Sequence, residues 1–193
     1  MAKEFELKYA ASPAQLEQIH AAVPEQYKTI SMETTYYDTP DGALSARKWT
    51  LRRRLENGVS VCTLKTPAAG YGRHEWELEC GSIESAVPAL CKLSNLPALA
   101  ELTSSGVISV CGARFTRRAC LTDLGGTTAE LALDEGILFG GGRETPFAEV
   151  AVELKSGGEE AAVACAQALA ARFGLKPEPK SKFSRALALA KGE

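Results

Sequence analysis

The chain has 193 residues, of which 45% are hydrophobic and 24% are charged, as in an ordinary globular protein. Its formal net charge of −2 is the near cancellation of 22 basic and 24 acidic residues, so the basic excess typical of nucleic-acid-binding proteins is absent. The sequence has neither the apolar run of a signal peptide nor the roughly 18 apolar residues of a membrane-spanning helix. We therefore expect one cytoplasmic domain over residues 1–193, with no nucleic-acid or membrane partner.

The six cysteines are scattered along the chain, and no Cys-x-x-Cys pair occurs. A chain of this length can build a core without covalent cross-links. The pattern predicts reduced, buried thiols rather than a disulfide framework or a zinc site.

The first strand-forming stretch, Glu4-Phe5-Glu6-Leu7-Lys8, alternates charged and large apolar residues. In an extended strand this alternation places Glu4, Glu6 and Lys8 on one face and Phe5 and Leu7 on the other. Taken alone, the pattern is typical of an edge strand whose charged face meets water. Its meaning depends on whether other strands repeat it.

The rest of the chain alternates predicted strands with a few helices. Further strands are predicted at residues 29–37, 49–56, 59–65, 74–80, 107–124, 128–134 and 147–155. Helices are predicted at 12–23, 82–102 and 159–173, with short helical segments at 43–47 and after residue 177. Pro88 and Pro97 are expected to divide the second helix into two pieces. Asn57-Gly58 is a strong hairpin signal.

At least five of these strands have ionisable residues on one face and apolar residues on the other. The charged faces could form the outside of a β-sandwich, or they could point inward and line the tunnel of a closed barrel. The predicted helices favour the barrel, because they need apolar sheet surface to pack against. The predicted fold is therefore α+β, an eight-stranded antiparallel β-barrel, or tunnel, with a charged interior and helices packed outside.

A tunnel lined by charges of both signs suits a phosphate ligand. Arginine and lysine bind phosphate oxygens through charge-assisted hydrogen bonds. Clustered carboxylates cannot all stay ionised without cations, and hard divalent ions such as Mg²⁺ or Mn²⁺ neutralise them. Bases, acids and a metal together indicate a polyphosphate ligand and phosphoryl transfer.

The sequence resembles the CYTH domain of the triphosphate tunnel metalloenzymes. The matching motifs are Glu4-Phe5-Glu6-Leu7-Lys8, Tyr36-Tyr37-Asp38-Thr39-Pro40, Leu51-Arg52-Arg53-Arg54, Thr63-Leu64-Lys65, Glu75-Trp76-Glu77, Glu130-Leu131-Ala132-Leu133-Asp134, Glu149 to Lys155, and Ser181-Lys182 with Arg185. They occur in the family's order along nearly the whole chain, which makes the resemblance specific.

The resemblance implies a role for each charged position. The implied metal ligands are Glu4, Glu6, Glu130, Asp134 and Glu153, and the implied phosphate-binding residues are Lys8, Arg52, Arg54, Lys65, Arg117, Lys182 and Arg185. The catalytic set drawn from them is Glu4, Glu6, Lys8, Arg52, Arg54 and Lys65, with Glu75, Glu77 and Glu149 as supporting acids. The chain departs from the family pattern at Ala151, which lies between Glu149 and Glu153 where a further acid is usual.

Several other residues are interpreted as structural. Four charged residues are interpreted as solvated or structural: Arg53, Glu79, Lys48 and Glu56. Two tryptophans, Trp49 and Trp76, are expected to pack in the wall of the barrel.

The resemblance implies a metal-dependent triphosphatase that uses Mg²⁺ or Mn²⁺. Its expected substrate is a small molecule containing a triphosphate, inorganic tripolyphosphate first, cleaved to diphosphate and phosphate. Thiamine triphosphatase and class IV adenylate cyclase activities are alternatives within the family, and a non-enzymatic polyphosphate-binding module is an alternative of another class. The number of carboxylates argues against a pure anion binder, and the absence of an obvious adenine-binding motif argues against the cyclase. A homodimer is compatible with the sequence.

Overall fold

The computed structural model describes residues 2–68 and 72–193, and their side chains from residue 5 onward. Within these residues the chain forms one antiparallel sheet of ten strands and six α-helices. The sheet order is β1-β6-β5-β4-β3-β7-β8-β9-β2-β10. The predicted α+β class with one large antiparallel sheet is confirmed.

The bounds of the elements are as follows. The strands are β1 (Ala2–Glu4), β2 (Glu6–Ala10), β3 (Lys28–Asp38), β4 (Thr50–Glu56), β5 (Val59–Pro67), β6 (Arg73–Glu79), β7 (Ile108–Asp123), β8 (Thr128–Gly140), β9 (Arg143–Ser156) and β10 (Lys176–Pro177). The helices are α1 (Pro13–Ala22), α2 (Ala43–Ala46), α3 (Ile83–Ser94), α4 (Pro97–Leu102), α5 (Glu159–Phe173) and α6 (Lys182–Lys191), with a 3-10 turn at Thr103–Ser105.

The predicted first strand forms two strands separated by Phe5. β1 pairs with β6, whereas β2 pairs with β9, near the opposite end of the sheet order. A single segment of nine residues, 2–10, therefore pairs with strands near both ends of the sheet. The other seven predicted strands all occur, and the two-residue β10 adds a short edge beside β2.

Local signals explain most of the helix boundaries. At the start of α1, the Ser12 hydroxyl accepts from the Gln15 backbone N–H while the Gln15 side chain accepts from the Ser12 N–H, a capping box. The predicted division of residues 82–102 into two helices is confirmed, with Pro97 at the start of α4, but the expectation that Pro88 interrupts the first of them was wrong, because α3 continues through it. Its packed face offsets the lost backbone bond, and the helix ends instead at Asn95, which adopts the left-handed conformation with φ 54°.

Five helices cover the outer face of the sheet. On this face lie the alternate strand residues that are mostly apolar. α1 and α5 pack on β2, β7, β8 and β9 around Leu16, Ile19, Leu133, Val150 and Ala166. α2, α3 and α4 pack on β4, β5 and β6 around a second cluster. Trp49 and Trp76 lie in that second cluster, as predicted for wall packing.

The sixth helix corrects the expectation that all helices lie outside. α6 packs on the opposite face of the sheet, where most of the charged strand residues lie. This face is called the cavity face. Phe183 and Ala186 of α6 join a buried apolar cluster with Met32, Tyr36 and Phe115. The cavity face is thus apolar beneath α6 and charged beyond it.

All six cysteines are free, as predicted, and three of them are buried. Within the described residues, no helix combines the length and apolar character needed to cross a membrane.

A close backbone approach on the cavity face predicts a stability defect. A Cβ added at Gly136 in β8 would overlap the Arg114 carbonyl oxygen and lie 2.5 Å from Cα of Phe115. Because backbone cannot move aside as a side chain can, Gly136→Ala should lower the free energy of unfolding by about 1–3 kcal/mol or more. Urea denaturation measures this change.

The matched control is Gly81→Ala, since a Cβ there meets nothing within 4 Å. This change should keep the free energy of unfolding within about 0.5 kcal/mol of wild type. Equal effects of the two substitutions would contradict the packing of β8 against β7.

Candidate active site

The cavity face surrounds a cavity of about 520 Å³ whose lining is mostly charged. Eight of its 24 lining residues are basic and seven are acidic: Lys8, Arg52, Arg54, Lys65, Arg73, Arg117, Lys155 and Lys182, with Glu6, Glu56, Glu75, Glu77, Glu130, Glu149 and Glu153. Most residues predicted for the site therefore lie around one space. The exceptions are Asp134 and Arg185, which are not part of the lining, and Glu4, whose side chain lies outside the described residues.

One carboxylate positions two of the predicted phosphate-binding residues. The two oxygens of Glu75 pair with Arg52 Nη2 and with Lys65 Nζ, each at 3.2 Å. All three side chains lie on neighbouring strands β4, β5 and β6. The Nε atom of Arg52 is buried and has no hydrogen-bond partner among the described residues. Glu75 thus holds both Arg52 and Lys65 at the wall of the cavity that they line.

Arg54 adds a buried cation to the same side of the cavity. Its guanidinium donates to Thr34 Oγ1 at 3.3 Å and pairs with Glu56 at 3.2 Å. Burial, reinforced by the nearby charges of Arg52 and Arg117, lowers the pKa of Arg54 to about 10. It still carries its charge at neutral pH, so this region holds an excess of positive charge that an anion would relieve.

Across the cavity, three carboxylates lie on adjacent strands. Glu6 pairs in register with Glu153, and Glu153 pairs with Glu130. Directly opposite residues of antiparallel strands have Cβ atoms about 4.5–5.5 Å apart, and like charges there repel. Lys155 Nζ lies 2.8 Å from Glu153 and 3.8 Å from Glu130. Hereafter Glu6, Glu153 and Glu130 are called the acidic row.

The acidic row fits a hard divalent cation by its chemistry. Carboxylate oxygens are the ligands that Mg²⁺ and Mn²⁺ prefer, and a cation would remove the repulsion within the row. Among the side chains that the structure describes, no three His, Cys, Asp or Glu residues are already grouped to hold a metal ion. Lys155 makes the compensating contacts instead.

Asp134, a predicted metal ligand, is fully buried in ion pairs. Its oxygens accept from Arg117 Nε and Nη2, both at 2.8 Å, and from Lys182 Nζ at 2.7 Å. Burial opposes the charge of Asp134, but Lys182 and Arg117 outweigh it and lower the pKa to about 2. Despite burial, Asp134 and nearby acids raise the pKa of Arg117. These contacts favour a positioning role for Asp134 over metal ligation.

Glu149 and α6 form a second buried ion-pair cluster beside Asp134. Glu149 contacts Lys182 with one oxygen and Arg185 with the other. Arg185 also lies 3.6 Å from Glu178, which keeps it behind the lining. These pairs fix the N-terminal turn of α6 against the sheet.

The N-terminal end of α6 borders the cavity. The Ser181 hydroxyl caps the helix by accepting from the Ser184 backbone N–H at 3.0 Å, and both residues line the cavity. Backbone N–H groups at a helix N-terminus favour anions. Lys182 lies over the Phe115 and Phe147 rings, at 4.9 and 5.3 Å from their centroids. The helix end thus adds to the positive potential.

Small residues separate the acidic row from the Glu149 cluster. Ala151 pairs with Ala132, and Ala132 pairs with Ala119, so three alanines form one buried row across β9, β8 and β7. Lys8 lies at the end of this row opposite Ala151 and donates to the Lys180 carbonyl at 2.9 Å. Burial lowers the pKa of Lys8, although Glu6 and Glu149 oppose that shift. At the family departure, a buried alanine thus lies opposite Lys8.

Sequence reasoning missed three charged lining residues: Arg73, Lys155 and Glu56. Each of the three lies an even number of residues from a predicted site residue on the same strand, and so on the same face. Continuing this alternation along β4, β6 and β9 would have identified them. The structure also separates neighbouring arginines of β7. Arg117 lines the cavity, whereas Arg114 pairs with Glu144 at 2.8 Å and Arg118 pairs with Glu17 at 2.8 Å.

Comparison with known proteins gives one family. A model described as the CYTH domain matches residues 2–187. An inorganic triphosphatase of Haemophilus influenzae is 32% identical over 169 residues, covering 81% of this chain and 46% of the relative. The chain thus spans about half the length of that curated relative.

Solved structures agree on the fold. A candidate adenylate cyclase of Bacillus halodurans has a TM-score of 0.67 and 20% identity, covering 95% of this chain and 96% of its own. A candidate adenylyl cyclase of Hippeastrum, whose dominant activity is that of a triphosphatase, has a TM-score of 0.65 and 19% identity, covering 100% and 97%. The family match over almost the whole length, together with this shared fold, shows that the chain belongs to the CYTH domain family.

Proposed function

We propose that this protein hydrolyses a triphosphate, with inorganic tripolyphosphate as the foremost substrate, to diphosphate and phosphate in a reaction that requires Mg²⁺ or Mn²⁺. The observation on which the proposal rests is the single cavity with eight basic and seven acidic lining residues. Such a lining offers a polyphosphate both its counter-charges and the ligands of a bridging cation. The 32% identity to an inorganic triphosphatase supports the choice of substrate.

The proposal includes closure of the sheet into a tunnel. β1 joins β6 and β2 joins β9, and only Phe5 separates β1 from β2. A barrel closed through this segment would surround the ligand with charged residues from β2 and from β4 to β9, whereas β3 contributes uncharged lining residues. It would also exclude bulk water, which strengthens each electrostatic contact.

The basic residues would hold the phosphate chain and neutralise the charge that develops during cleavage. Arg52 and Lys65 are already oriented by Glu75, so little side-chain freedom is lost when they bind. Asp134 orients Arg117 and Lys182 in the same manner on the far side. Asp134 and Glu75 are thus proposed as positioning residues.

Glu4 and the acidic row are proposed to hold the divalent cation, which when bound would neutralise phosphate oxygens as a Lewis acid. A water molecule oriented by a carboxylate attacks the terminal phosphorus. The bond from the water oxygen to phosphorus forms, the bond to the bridging oxygen breaks, and diphosphate leaves with the bonding pair. The water proton passes to the carboxylate and then to solvent.

Non-enzymatic polyphosphate binding explains the bases but not the acids. A pure anion binder gains nothing from three carboxylates on adjacent strands, because they repel its ligand. The acidic row therefore favours an enzyme over a binding module.

A substrate panel tests the reaction itself. Purified protein with Mg²⁺ or Mn²⁺ is expected to release phosphate and diphosphate from tripolyphosphate, and a chelator should abolish this release. Thiamine triphosphate and ATP belong in the same panel, scored for phosphate, diphosphate and cyclic AMP. Absence of phosphate release from all three substrates would contradict the triphosphatase proposal, and cyclic AMP as the main product would replace it with a cyclase.

Neighbouring arginines on β4 test which face acts. Arg52→Ala removes a cation of the cavity face and should lower kcat/KM for tripolyphosphate by about 100-fold or more, as for the loss of one preorganised donor. Arg53→Ala is the matched control, because Arg53 points to the other face and bonds Ser60 Oγ at 2.8 Å. Its kcat/KM should stay close to wild type, and equal losses in the two variants would count against the cavity as the site.

A further inference from the structure

A second cavity of about 330 Å³ adjoins the first. Four residues line both: Thr50, Arg73, Phe183 and Ser184. Arg73 Nη1 donates to Thr50 Oγ1 at 3.1 Å, so a hydrogen-bonded pair lies at their common boundary. This second space is called the side cavity.

The side cavity is bounded by the exit of α2 and by the C-terminal half of α6. Its basic residues are Lys48, Arg73 and Lys191, and its acidic residue is Glu193. Positive charge thus continues beyond Arg73, away from the acidic row of the main cavity. The remaining lining residues are uncharged and belong to α2, β4 and α6.

Lys48 occupies a backbone position that does not suit lysine. It has φ +59°, and the turn after α2 has the hydrogen bonds of a Schellman motif, from Trp49 N–H to Leu44 C=O at 3.0 Å and from Lys48 N–H to Ser45 C=O at 2.9 Å. Glycine is favoured at this left-handed position, because a Cβ is strained there. A lysine at this position lowers stability relative to glycine, and the fold gives no reason for it. Its side chain lines the side cavity, which suggests a role there.

We propose that the side cavity binds the phosphate groups of a linear polyphosphate that extend beyond the three held in the main cavity. This inference rests on the proposed function, because it extends the same anion site past Arg73. Lys48 and Lys191 would pair with the fourth phosphate, and Arg73 would contact the chain between the two cavities. The protein would then bind inorganic chains of four or more phosphates more tightly than tripolyphosphate, and tripolyphosphate would remain a substrate of the proposed reaction.

An inorganic chain fits this lining better than the organic group of a nucleotide or of thiamine triphosphate. Each added phosphate brings negative charge to Lys48 and Lys191, whereas a thiamine group is itself cationic and would be repelled. An adenine ring would gain from an aromatic stacking partner, but Phe183 is buried in the apolar cluster under α6.

The test compares the affinities of tripolyphosphate and tetrapolyphosphate, measured by calorimetry on the full chain with a chelator present. Ionic strength is kept low, because the screening length is about 10 Å at 0.1 M. Wild type should bind tetrapolyphosphate about three- to fivefold more tightly than tripolyphosphate, the gain expected from an exposed ion pair. Lys48→Gly and Lys191→Gln should each reduce that ratio toward one.

Lys48→Gly should also unfold at a temperature no lower than wild type, because glycine suits the left-handed position. Loss of affinity in this variant therefore cannot be attributed to misfolding. Asn95→Gly controls for the backbone change, since Asn95 ends α3 with φ +54°, and Lys92→Gln controls for loss of an exposed lysine on α3. Both controls should keep the wild-type ratio.

Equal affinity of wild type for the two ligands, or no binding of either, would overturn the side-cavity proposal. So would an unchanged ratio in both Lys48→Gly and Lys191→Gln. The proposed function is judged separately by phosphate release from tripolyphosphate with metal present. A protein that hydrolyses tripolyphosphate but shows no preference for the longer chain would therefore keep its proposed function and lose this inference.

Discussion

Charge compensation across the cavity face is the constraint on which the rest of this structure depends. Fifteen charged side chains surround a space of about 520 Å³, and several of them are largely buried. A buried charge without a partner costs several kcal/mol, so each must be neutralised by a neighbour or by a ligand. Glu75 neutralises Arg52 and Lys65, and Asp134 neutralises Arg117 and Lys182. Lys155 and Glu56 partly compensate the acidic row and Arg54, and these are the regions where a cation and an anion would give the largest further gain.

The same constraint accounts for the placement of α6. Its basic residues Lys182 and Arg185 extend to Asp134 and Glu149, and its Phe183 and Ala186 cover the apolar part of the cavity face. The helix therefore both closes off the apolar end and supplies counter-charges to the buried acids. The apolar side chains of the five outer helices, in contrast, pack on the opposite face of the sheet.

Strand alternation in the sequence was sufficient to predict much of this arrangement. Period-two parity placed Glu6 with Lys8, and Arg52 with Arg54, on one face of their strands, and the family resemblance added Lys65; all five line the cavity. Parity does not reveal how strands stack in register, so it could not show that Asp134 lies beneath Arg117 and Lys182 rather than at the surface of the cavity. Whether such a residue is buried or lines the cavity depends on its position along the strand and on the register with neighbouring strands. Register is set by contacts between residues distant in sequence, which local alternation does not reveal.

The same limit explains the residues that were missed or assigned to another face. Glu56 was interpreted as a solvated or structural charge; it pairs with Arg54, but its place in the cavity wall was missed. Pro88 was expected to break a helix that tertiary packing keeps intact. Nothing in the local pattern of residues 182–191 distinguished a helix on the cavity face from one on the outer face, because both faces offer apolar contacts.

The central claim is that the charged cavity is a cation-assisted triphosphate site. Anomalous diffraction from crystals grown with Mn²⁺ and tripolyphosphate tests it most directly. The account predicts a manganese peak beside the carboxylates of Glu6, Glu153 and Glu130, with phosphate density between that peak and Arg52, Arg54 and Lys65. A peak outside this cavity, or phosphate density elsewhere on the protein, would contradict it.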